Sequence, residues 1–339
     1  MEENSGNEQI IGMQKISIAI HGGAGTIVRE QMTAALEAAY RQGLQQALTA
    51  GYSVLEKKGS SLQAVAAAVV ILEDNLLFNA GRGSVFTSQG LHEMDASIMD
   101  GRTLGAGAVA GIKNIRNPVL LARAVMEKSG HVMLSGPGAE EFAAEQGIAT
   151  APDEYFYSQF RLNQWQEIRG SDVFELDHRG AARKDAPDGK KFGTVGAVAC
   201  DDQGNVAAAT STGGMTNKRF GRIGDSPVIG AGTYANNATC AISCTGHGEI
   251  FMKAVAAYDV SCLMEYRNLT LQQACDMVVM KKLVALQGEG GLVGIDAKGN
   301  VALVFNSAGM YRACKDSTGM DYVAIYGSCL LYTSPSPRD

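Results

Sequence analysis

The residue best suited to catalysis is Thr194, which lies where a polar stretch meets an apolar one. Ser171 to Lys191 is charged and contains proline and glycine, whereas Val195 to Ala199 is small and apolar, as in a buried strand. Gly193 leaves the peptide bond before Thr194 unhindered. Cleavage of that bond would free an α-amine with a reference pKa of roughly 7.7–8.0, which suits a general base for the threonine hydroxyl. We therefore predict a chain that cleaves itself before Thr194 and then uses this residue as a nucleophile.

Three short motifs after Thr194 combine hydroxyl groups, charges and glycines. They are Thr210-Ser211-Thr212-Gly213-Gly214-Met215, Gly221-Arg222-Ile223-Gly224-Asp225-Ser226-Pro227 and Cys244-Thr245-Gly246-His247-Gly248-Glu249. Thr212 ends a predicted strand that pairs with the strand after Thr194, which would set the two threonines side by side. Arg222 and Asp225 suit either a surface ion pair or a clamp, in which the guanidinium holds a carboxylate and the aspartate holds an ammonium.

Together these motifs resemble the plant-type asparaginase/isoaspartyl aminopeptidase family of N-terminal-nucleophile hydrolases, from about Ile16 to Tyr326. The resemblance implies an α+β fold, namely a four-layer αββα sandwich, and autocleavage into two subunits that stay together. These subunits would be 1–193, with a flexible linker at about 171–193, and 194–328, and two such αβ pairs would form a dimer. The implied reactions are hydrolysis of L-asparagine to L-aspartate and ammonia, and cleavage of β-aspartyl (isoaspartyl) dipeptides.

The same resemblance implies catalytic roles for several residues. Thr194 matches the family nucleophile, and Thr212 matches the threonine that hydrogen-bonds it and assists maturation. Thr245 and Gly246 match the oxyanion hole, the first through its hydroxyl and the second through its backbone N–H. Asn79 matches an asparagine that helps to position the nucleophile.

Substrate binding is implied for a second, overlapping set of residues. Arg222 and Asp225 match the clamp for the free amino-acid end of the substrate, and Gly248 matches a backbone contact to it. The two oxyanion-hole residues belong to this set as well, because the oxyanion forms on the substrate. His247 lies where the family motif varies, so no catalytic role is expected for it.

A structural sodium ion is also implied, bound by main-chain carbonyl oxygens, which are suitable ligands for a hard cation. The matching residues are Leu72, Glu73, Asn75, Phe78, Ala80 and Arg82. Carbonyl ligation does not require particular side chains. No organic cofactor is implied.

The composition argues against several other classes of protein. With 29 Lys and Arg against 35 Asp and Glu, the net charge is −6 and no basic stripe is present, so we expect no nucleic-acid partner. The resemblance implies a small-molecule substrate instead. The seven cysteines form no CxxC pair, which favours buried reduced thiols in a cytoplasmic protein. Met1 to Gln14 is acidic and polar without a secretory signal, and no apolar run could span a membrane. Cys329 to Asp339 resembles a translated sequencing adapter, so we expect 329–339 to be a non-native tail rather than a natural disordered one.

Apolar periodicity predicts the elements around these motifs. The spacing from Leu36 to Leu48 predicts a helix that ends at Gly51, and Ser61 is the expected cap of the next helix. Residues 201–207 and 296–302 share the pattern D-x-x-G-N-V-A, which predicts two hairpins of one antiparallel sheet system. Helices before and between the strands favour helices packed over stacked sheets.

Three other functions compete with this interpretation. A glycosylasparaginase would share the threonine nucleophile and the G-D-S-P segment, although the missing secretory signal and Thr212-Gly213-Gly214-Met215 favour the asparaginase branch. An uncleaved, inactive binding protein could have the same fold. A nucleotide-dependent enzyme could use His21-Gly22-Gly23-Ala24-Gly25, but this segment lacks the Walker lysine and the GxGxxG spacing. We predict instead that its backbone closely approaches the active site.

Overall fold

The computed structural model of the chain describes residues 14–25, 27, 29–170 and 193–327. The predicted linker before Gly193 and the predicted tail at 329–339 lie outside the described residues. In the described part, the strands are β1 (Ser17–Gly25), β2 (Met94–Asp100), β3 (Ala106–Ile112), β4 (Met133–Ser135), β5 (Val195–Cys200), β6 (Val206–Thr212), β7 (Thr233–Ala235), β8 (Cys240–Gly246), β9 (Gly290–Asp296), β10 (Val301–Phe305), β11 (Gly309–Asp316) and β12 (Asp321–Tyr326). The α-helices are α1 (Ala34–Glu56), α2 (Ser61–Glu73), α3 (Pro118–Lys128), α4 (Gly136–Glu145), α5 (Asp153–Phe156), α6 (Gln159–Ile168), α7 (Gly248–Ala254), α8 (Ala256–Arg267) and α9 (Leu271–Asp276).

Two sheets form the centre of the fold. The larger has eight strands in the order β12-β11-β1-β5-β6-β2-β3-β4, antiparallel except for the parallel pair β3–β4. The smaller has four antiparallel strands in the order β10-β9-β8-β7. The strand β5, which begins directly after Thr194, lies between β1 and β6, so ladder hydrogen bonds hold it on both sides.

Helices cover the outer face of each sheet. The helices α1, α2 and α3 pack against the larger sheet through a core that includes Val69. The helices α7, α8 and α9 pack against the smaller sheet through a core that includes Val260 and Ile242. The inner faces of the two sheets meet around Val198 and Val293. This order of helix, sheet, sheet and helix confirms the predicted α+β fold, a four-layer αββα sandwich. No helix within the described residues is both long enough and apolar enough to cross a membrane.

Two helix boundaries differ from the prediction. The helix α1 continues past Gly51, because this glycine lets it pack closely on β1, where a Cβ would overlap the Ile18 side chain. The helix α2 is capped by Ser60 rather than Ser61. Ser60 Oγ accepts a hydrogen bond from the Gln63 N–H at 3.3 Å, and Gln63 Oε1 accepts one from the Ser60 N–H at 3.0 Å. This reciprocal capping box requires Gln three residues after the cap, which selects Ser60.

The repeated D-x-x-G-N-V-A pattern forms the same turn twice, but in different sheets. Asp201 and Asp296 each accept hydrogen bonds from the backbone N–H groups two and four residues later. The first hairpin is β5–β6 of the larger sheet, and the second is β9–β10 of the smaller one. The prediction of one sheet system was therefore wrong, because a local pattern specifies the turn and not the sheet that its strands join.

Candidate active site

A small pocket surrounds Thr194 at the start of β5. Its cavity has a volume of about 20 Å³, and Thr194 is 8% exposed. The lining residues are Gly193, Thr194, Thr212, Gly214, Met215, Arg222, Gly224, Asp225, Ser226, Gly246 and Gly248. Most of the predicted cleavage, catalytic and substrate-binding residues therefore meet here, and Thr245 and Asn79 adjoin residues of the lining. A larger cavity of about 360 Å³, near Phe86 and Phe156, contains none of the predicted site residues.

Two side chains contact Thr194 that sequence analysis did not assign to it. Thr194 Oγ1 lies 3.3 Å from Ser226 Oγ, where either hydroxyl can donate, and the Thr194 carbonyl oxygen lies 3.0 Å from His21 Nδ1. Ser226 directly follows Asp225 in one of the three motifs described above, so its place near the site could have been predicted from the sequence. His21 lies 173 residues before Thr194, and only the pairing of β1 with β5 brings them together.

Thr212 lies across the hairpin from Thr194, as predicted. In the β5–β6 pairing the residue after Thr194 faces the residue before Thr212, and one further step sets the two threonines opposite each other. Among the described residues, however, the Thr194 hydroxyl bonds to Ser226 and not to Thr212. The Thr212 hydroxyl accepts from the Gly214 N–H at 3.0 Å, and Asn79 Nδ2 donates to the Gly214 carbonyl at 2.7 Å. Asn79 therefore holds the turn after Thr212 rather than the nucleophile itself.

The backbone of β1 closely approaches the predicted cleavage site. Gly23 has a φ of +112°, and a Cβ there would lie 2.6 Å from the Gly193 nitrogen. A Cβ at Gly22 would overlap the ring of Phe78. Side chains at these two positions would displace either Gly193 or Phe78, which explains the glycine pair. The predicted close approach of this segment to the active site is confirmed.

Thr245 and Gly246 form the end of β8, beside β9. The Thr245 side chain is fully buried, and its Oγ1 has no hydrogen-bond partner among the described residues. A buried hydroxyl without a partner costs about 1–3 kcal/mol, so Thr245 Oγ1 is free to donate to a group bound beside it. Gly246 has a φ of +148°, and a Cβ there would overlap the Glu289 carbonyl oxygen. Only glycine fits this position, so no side chain covers the backbone next to Thr245.

Arg222 pairs with Glu249 and not with Asp225. Its Nε and Nη2 donate to the two carboxylate oxygens of Glu249, each at 2.9 Å. Burial pushes the pKa of Glu249 upward, but the hydrogen bonds and charge of Arg222 outweigh it, and the pKa lies below its usual value. Sequence analysis missed this partner, although Glu249 directly follows Gly248. The alternative of a surface ion pair between Arg222 and Asp225 is wrong within the described residues.

Asp225 lies deeper than Arg222 and is unsatisfied. It is 3% exposed, and its Oδ2 has no partner among the described residues. Burial raises the pKa of Asp225 to about 7, against smaller opposing effects of a backbone N–H and of the Arg222 charge. Gly248 leaves space between the two side chains, since a Cβ there would lie 2.8 Å from Arg222 Nη2 and 3.0 Å from Asp225 Oδ1. An ammonium in that space would favour the ionised form of Asp225.

The loop after α2 crowds carbonyl oxygens around two glycines. A Cβ at Gly81 would lie 2.6 Å from the Glu73 carbonyl oxygen, and a Cβ at Gly83 would lie 3.0 Å from that of Asn75 and overlap that of Phe78. Carbonyl oxygens of three predicted sodium ligands therefore border these two glycines, and such oxygens suit a hard cation. The same oxygens of Asn75 and Phe78 also accept backbone hydrogen bonds inside the loop. The sodium ion stays a prediction.

The side chain of Glu73 has a contact of its own, whereas the sequence prediction used only its carbonyl. Its Oε1 accepts from Ser211 Oγ at 2.7 Å and from the Val119 N–H at 2.9 Å. Burial raises the pKa of Glu73 to about 8, so the carboxyl is protonated at neutral pH. This group links the loop after α2 to the residue before Thr212. It thereby connects the predicted ion loop with the strand that faces the nucleophile.

Known proteins resemble this chain over nearly its whole length. A family model described as Asparaginase matches residues 13–325. An isoaspartyl peptidase of Salmonella typhimurium is 55% identical over 301 residues, which cover 89% of this chain and 95% of that protein. An isoaspartyl peptidase of Escherichia coli is 54% identical over 301 residues, which cover 89% of this chain and 93% of that protein. A human protein named isoaspartyl peptidase/L-asparaginase is 41% identical over 305 residues, 90% of this chain and 94% of that protein.

Proposed function

The chain belongs to the asparaginase family, and from this premise we propose that it is a threonine-dependent amidohydrolase that processes itself. It hydrolyses L-asparagine to L-aspartate and ammonia, and it cleaves β-aspartyl (isoaspartyl) dipeptides. The relatives named isoaspartyl peptidase and isoaspartyl peptidase/L-asparaginase support both substrates. The observation that carries the proposal is the convergence of Thr194, Arg222, Asp225 and Gly246 on one pocket.

Self-cleavage comes first. Before cleavage Gly193 lines the pocket, whose volume of about 20 Å³ has room for one water molecule but not for an amino acid. Thr194 Oγ1 attacks the Gly193 carbonyl carbon, the C–N bond breaks with transfer of the proton to nitrogen, and water hydrolyses the resulting ester. The products are an α subunit, 1–193, and a β subunit, which begins at Thr194 with a free α-amine. Departure of Gly193 makes room for substrate.

After self-cleavage, Thr194 is also the nucleophile that hydrolyses the substrate. The α-amine takes the proton of the Thr194 hydroxyl as this oxygen attacks the side-chain carbonyl carbon of the substrate. The oxyanion accepts hydrogen bonds from the Thr245 hydroxyl, which has no other partner among the described residues, and from the Gly246 N–H. Ammonia or an amino acid leaves with the proton, and a β-aspartyl ester remains on Thr194. Water, deprotonated by the α-amine, hydrolyses the ester.

The substrate's free amino-acid end lies between Arg222 and Asp225. The guanidinium binds the α-carboxylate, and Asp225 binds the α-ammonium, which satisfies its unpartnered Oδ2. Since Arg222 already donates two hydrogen bonds to Glu249, the substrate carboxylate shares the guanidinium with that residue. Gly248 keeps the space between the two charges open.

Three further properties belong to the proposal. A structural sodium ion binds the main-chain carbonyls of the loop from Leu72 to Arg82, which the crowding of oxygens in that loop supports. Two αβ pairs form a dimer, and the half-exposed Met280 and Val284 on the outer helical layer offer apolar surface for such a contact. The enzyme works in the cytoplasm, which the free cysteines among the described residues support.

Assays of purified protein with isoaspartyl-leucine and L-asparagine test the reaction. We expect both to be hydrolysed, and Thr194→Ala to lose self-cleavage and both activities together. A glycosylated asparagine distinguishes the glycosylasparaginase alternative, because exclusive hydrolysis of that substrate would contradict our choice. An uncleaved binding protein would instead run as one full-length band and hydrolyse nothing.

A further inference from the structure

Five buried side chains link the backbone of Thr194 to the backbone of Ser226. We call them the buried polar chain, and in order of contact they are His21, Ser243, Thr210, Thr233 and Ser97. At one end His21 Nδ1 lies 3.0 Å from the Thr194 carbonyl oxygen, and at the other Ser97 Oγ donates to the Ser226 carbonyl oxygen at 2.6 Å. Ser226 Oγ lies 3.3 Å from Thr194 Oγ1. The path therefore starts at the carbonyl of Thr194 and returns to its hydroxyl.

The buried polar chain crosses the interface between the two sheets. His21, Ser97 and Thr210 lie on β1, β2 and β6 of the larger sheet, whereas Thr233 and Ser243 lie on β7 and β8 of the smaller one. All five are fully buried, in a layer otherwise filled by apolar side chains. Polar groups are costly to bury in such a layer unless they are hydrogen-bonded, and each of these five has at least two partners.

The buried polar chain holds one proton fewer than it has contacts. Both ends are carbonyl oxygens, which only accept, and between them stand four hydroxyls and one imidazole. With a neutral imidazole these groups supply five protons for six contacts. Burial lowers the pKa of His21 to about 3, so a sixth proton is absent at neutral pH.

The Thr194 carbonyl fixes the tautomer of His21. The Thr194 carbonyl requires a proton on His21 Nδ1, so Nε2 must accept, and its contact within the described residues is Ser243 Oγ at 2.9 Å. Ser243 Oγ therefore donates to His21 Nε2, although it also lies 3.2 Å from the Ala209 carbonyl oxygen. Ser97 Oγ lies within hydrogen-bond distance of both the Ser226 carbonyl oxygen, at 2.6 Å, and Thr233 Oγ1, at 2.8 Å. The hydroxyls of Thr210 and Thr233 can also donate to the carbonyl oxygens of Gly232 and Ser226, at 3.3 and 3.5 Å, so the tautomer of His21 fixes the donor at its own contact with Ser243.

Gly196 gives independent support for the contact between His21 and Ser243. It faces His21 in the β1–β5 pairing, and a Cβ there would lie 2.5 Å from His21 Nε2 and overlap Ser243 Oγ. Two residues after Thr194, this glycine therefore leaves the room that the contact needs.

We propose that His21 is a positioning residue for the Thr194 nucleophile, which it holds by the carbonyl and, through the buried polar chain, by the neighbouring Ser226. This inference rests on the proposed function. After self-cleavage Thr194 becomes a chain terminus, and terminal residues are poorly ordered unless they are tied down. The contact to His21 does not involve the cleaved bond, so it persists. Misplacement of a reacting group by about 1 Å can cost about 10²-fold in rate, which makes such a tether important.

The variants His21→Asn and His21→Gln separate the two contacts of the imidazole. Asparagine keeps a donor near the position of Nδ1 and loses the hydrogen bond to Ser243. Glutamine keeps a polar group near the position of Nε2 and loses the hydrogen bond to the Thr194 carbonyl oxygen. For isoaspartyl-leucine we expect kcat per cleaved active site to fall about 10²-fold in His21→Gln and less than about tenfold in His21→Asn. KM should stay within about threefold in both, because the substrate clamp is untouched. Equal losses in the two variants would overturn the inference.

A serine pair keeps the test decisive if the histidine variants fail to fold. Ser243→Ala removes a hydroxyl of the buried polar chain, and Ser261→Ala removes an equally buried one on α8, bonded to Thr239 Oγ1 at 2.7 Å. We expect about tenfold lower kcat for Ser243→Ala with unchanged KM, and wild-type kcat for Ser261→Ala. Equal kcat in both, in an active wild-type background, would overturn this inference alone. A wild-type protein that hydrolyses neither substrate would overturn the proposed function instead.

Discussion

Replacement of Thr245 by valine should stabilise the protein and at the same time almost abolish its activity. Valine has nearly the shape of threonine but lacks the hydroxyl. Thr245 is fully buried, and its Oγ1 has no partner among the described residues. Removal of this oxygen breaks no hydrogen bond in the free enzyme and relieves the cost of an unsatisfied buried hydroxyl, about 1–3 kcal/mol.

The effect on catalysis should have the opposite sign. In the mechanism that we propose, the Thr245 hydroxyl donates to the oxyanion in the transition state, and loss of one such donor typically costs about 10²–10³ in kcat, or about 2.7–4 kcal/mol. A general packing defect would lower both stability and activity. A gain in stability together with a loss of activity would therefore identify the Thr245 hydroxyl as a group that has no partner among the described residues of the free enzyme and acts in the reaction.

The assay needs both quantities and a matched control. We would measure kcat for isoaspartyl-leucine, and the free energy of unfolding in urea in a Thr194→Ala background, where the chain stays intact. The control is Thr239→Val, whose buried hydroxyl does have a partner, Ser261 Oγ at 2.7 Å. It should lose about 1–3 kcal/mol of stability and keep its kcat. Wild-type kcat in Thr245→Val, or a stability loss as large as that of the control, would refute the reasoning.

Three further predictions concern a buried acid, the substrate clamp and the cleavage site. Burial raises the pKa of Glu73 to about 8 from 4.5, so the folded state binds a proton that the unfolded state releases, and stability should fall as pH rises through this window. Glutamine does not titrate, so the urea midpoint of Glu73→Gln should fall less than that of the wild type as the pH rises from 4.5 to about 8. An equal fall of the two midpoints would show that Glu73 does not cause this pH dependence. Arg222→Lys should raise KM about tenfold or more in steady-state kinetics, because lysine cannot form the paired hydrogen bonds of a guanidinium, and an unchanged KM would argue against the clamp. Gly23→Ala strains the backbone at a φ of +112° and presses on Gly193, so a gel time course should show self-cleavage slowed about tenfold or more, and wild-type cleavage would contradict the contact.

The layers of the fold follow from signals that are local in the sequence. Apolar periodicity, caps and turn residues identify helices and strands, because each depends on neighbours a few positions away. Tertiary packing can override these local signals. Gly51 predicts a helix end by propensity, yet it lies inside α1 because a bare backbone is needed against Ile18. Likewise, identical turns at Asp201 and Asp296 do not tell which sheet their strands join.

The candidate site divides in the same way. Thr194, Arg222 and Asp225 line one pocket, and this grouping was predictable because their residue types and short motifs suit the predicted chemistry. The partners that orient them were not, because these depend on strand register and on the contact between the two sheets. His21 contacts the Thr194 carbonyl across β1 and β5, and Glu249 accepts hydrogen bonds from the Arg222 guanidinium, for which the sequence suggested only Asp225 or the substrate.

The central claim is that Thr194 is both the cleavage site and the nucleophile. Amino-terminal sequencing of the smaller polypeptide in the purified protein tests this claim most directly. We expect it to begin with Thr-Val-Gly-Ala, starting at Thr194, and we expect Thr194→Ala to remain a single chain. A smaller polypeptide that begins at another residue, or an intact wild-type chain that still hydrolyses isoaspartyl-leucine, would contradict it.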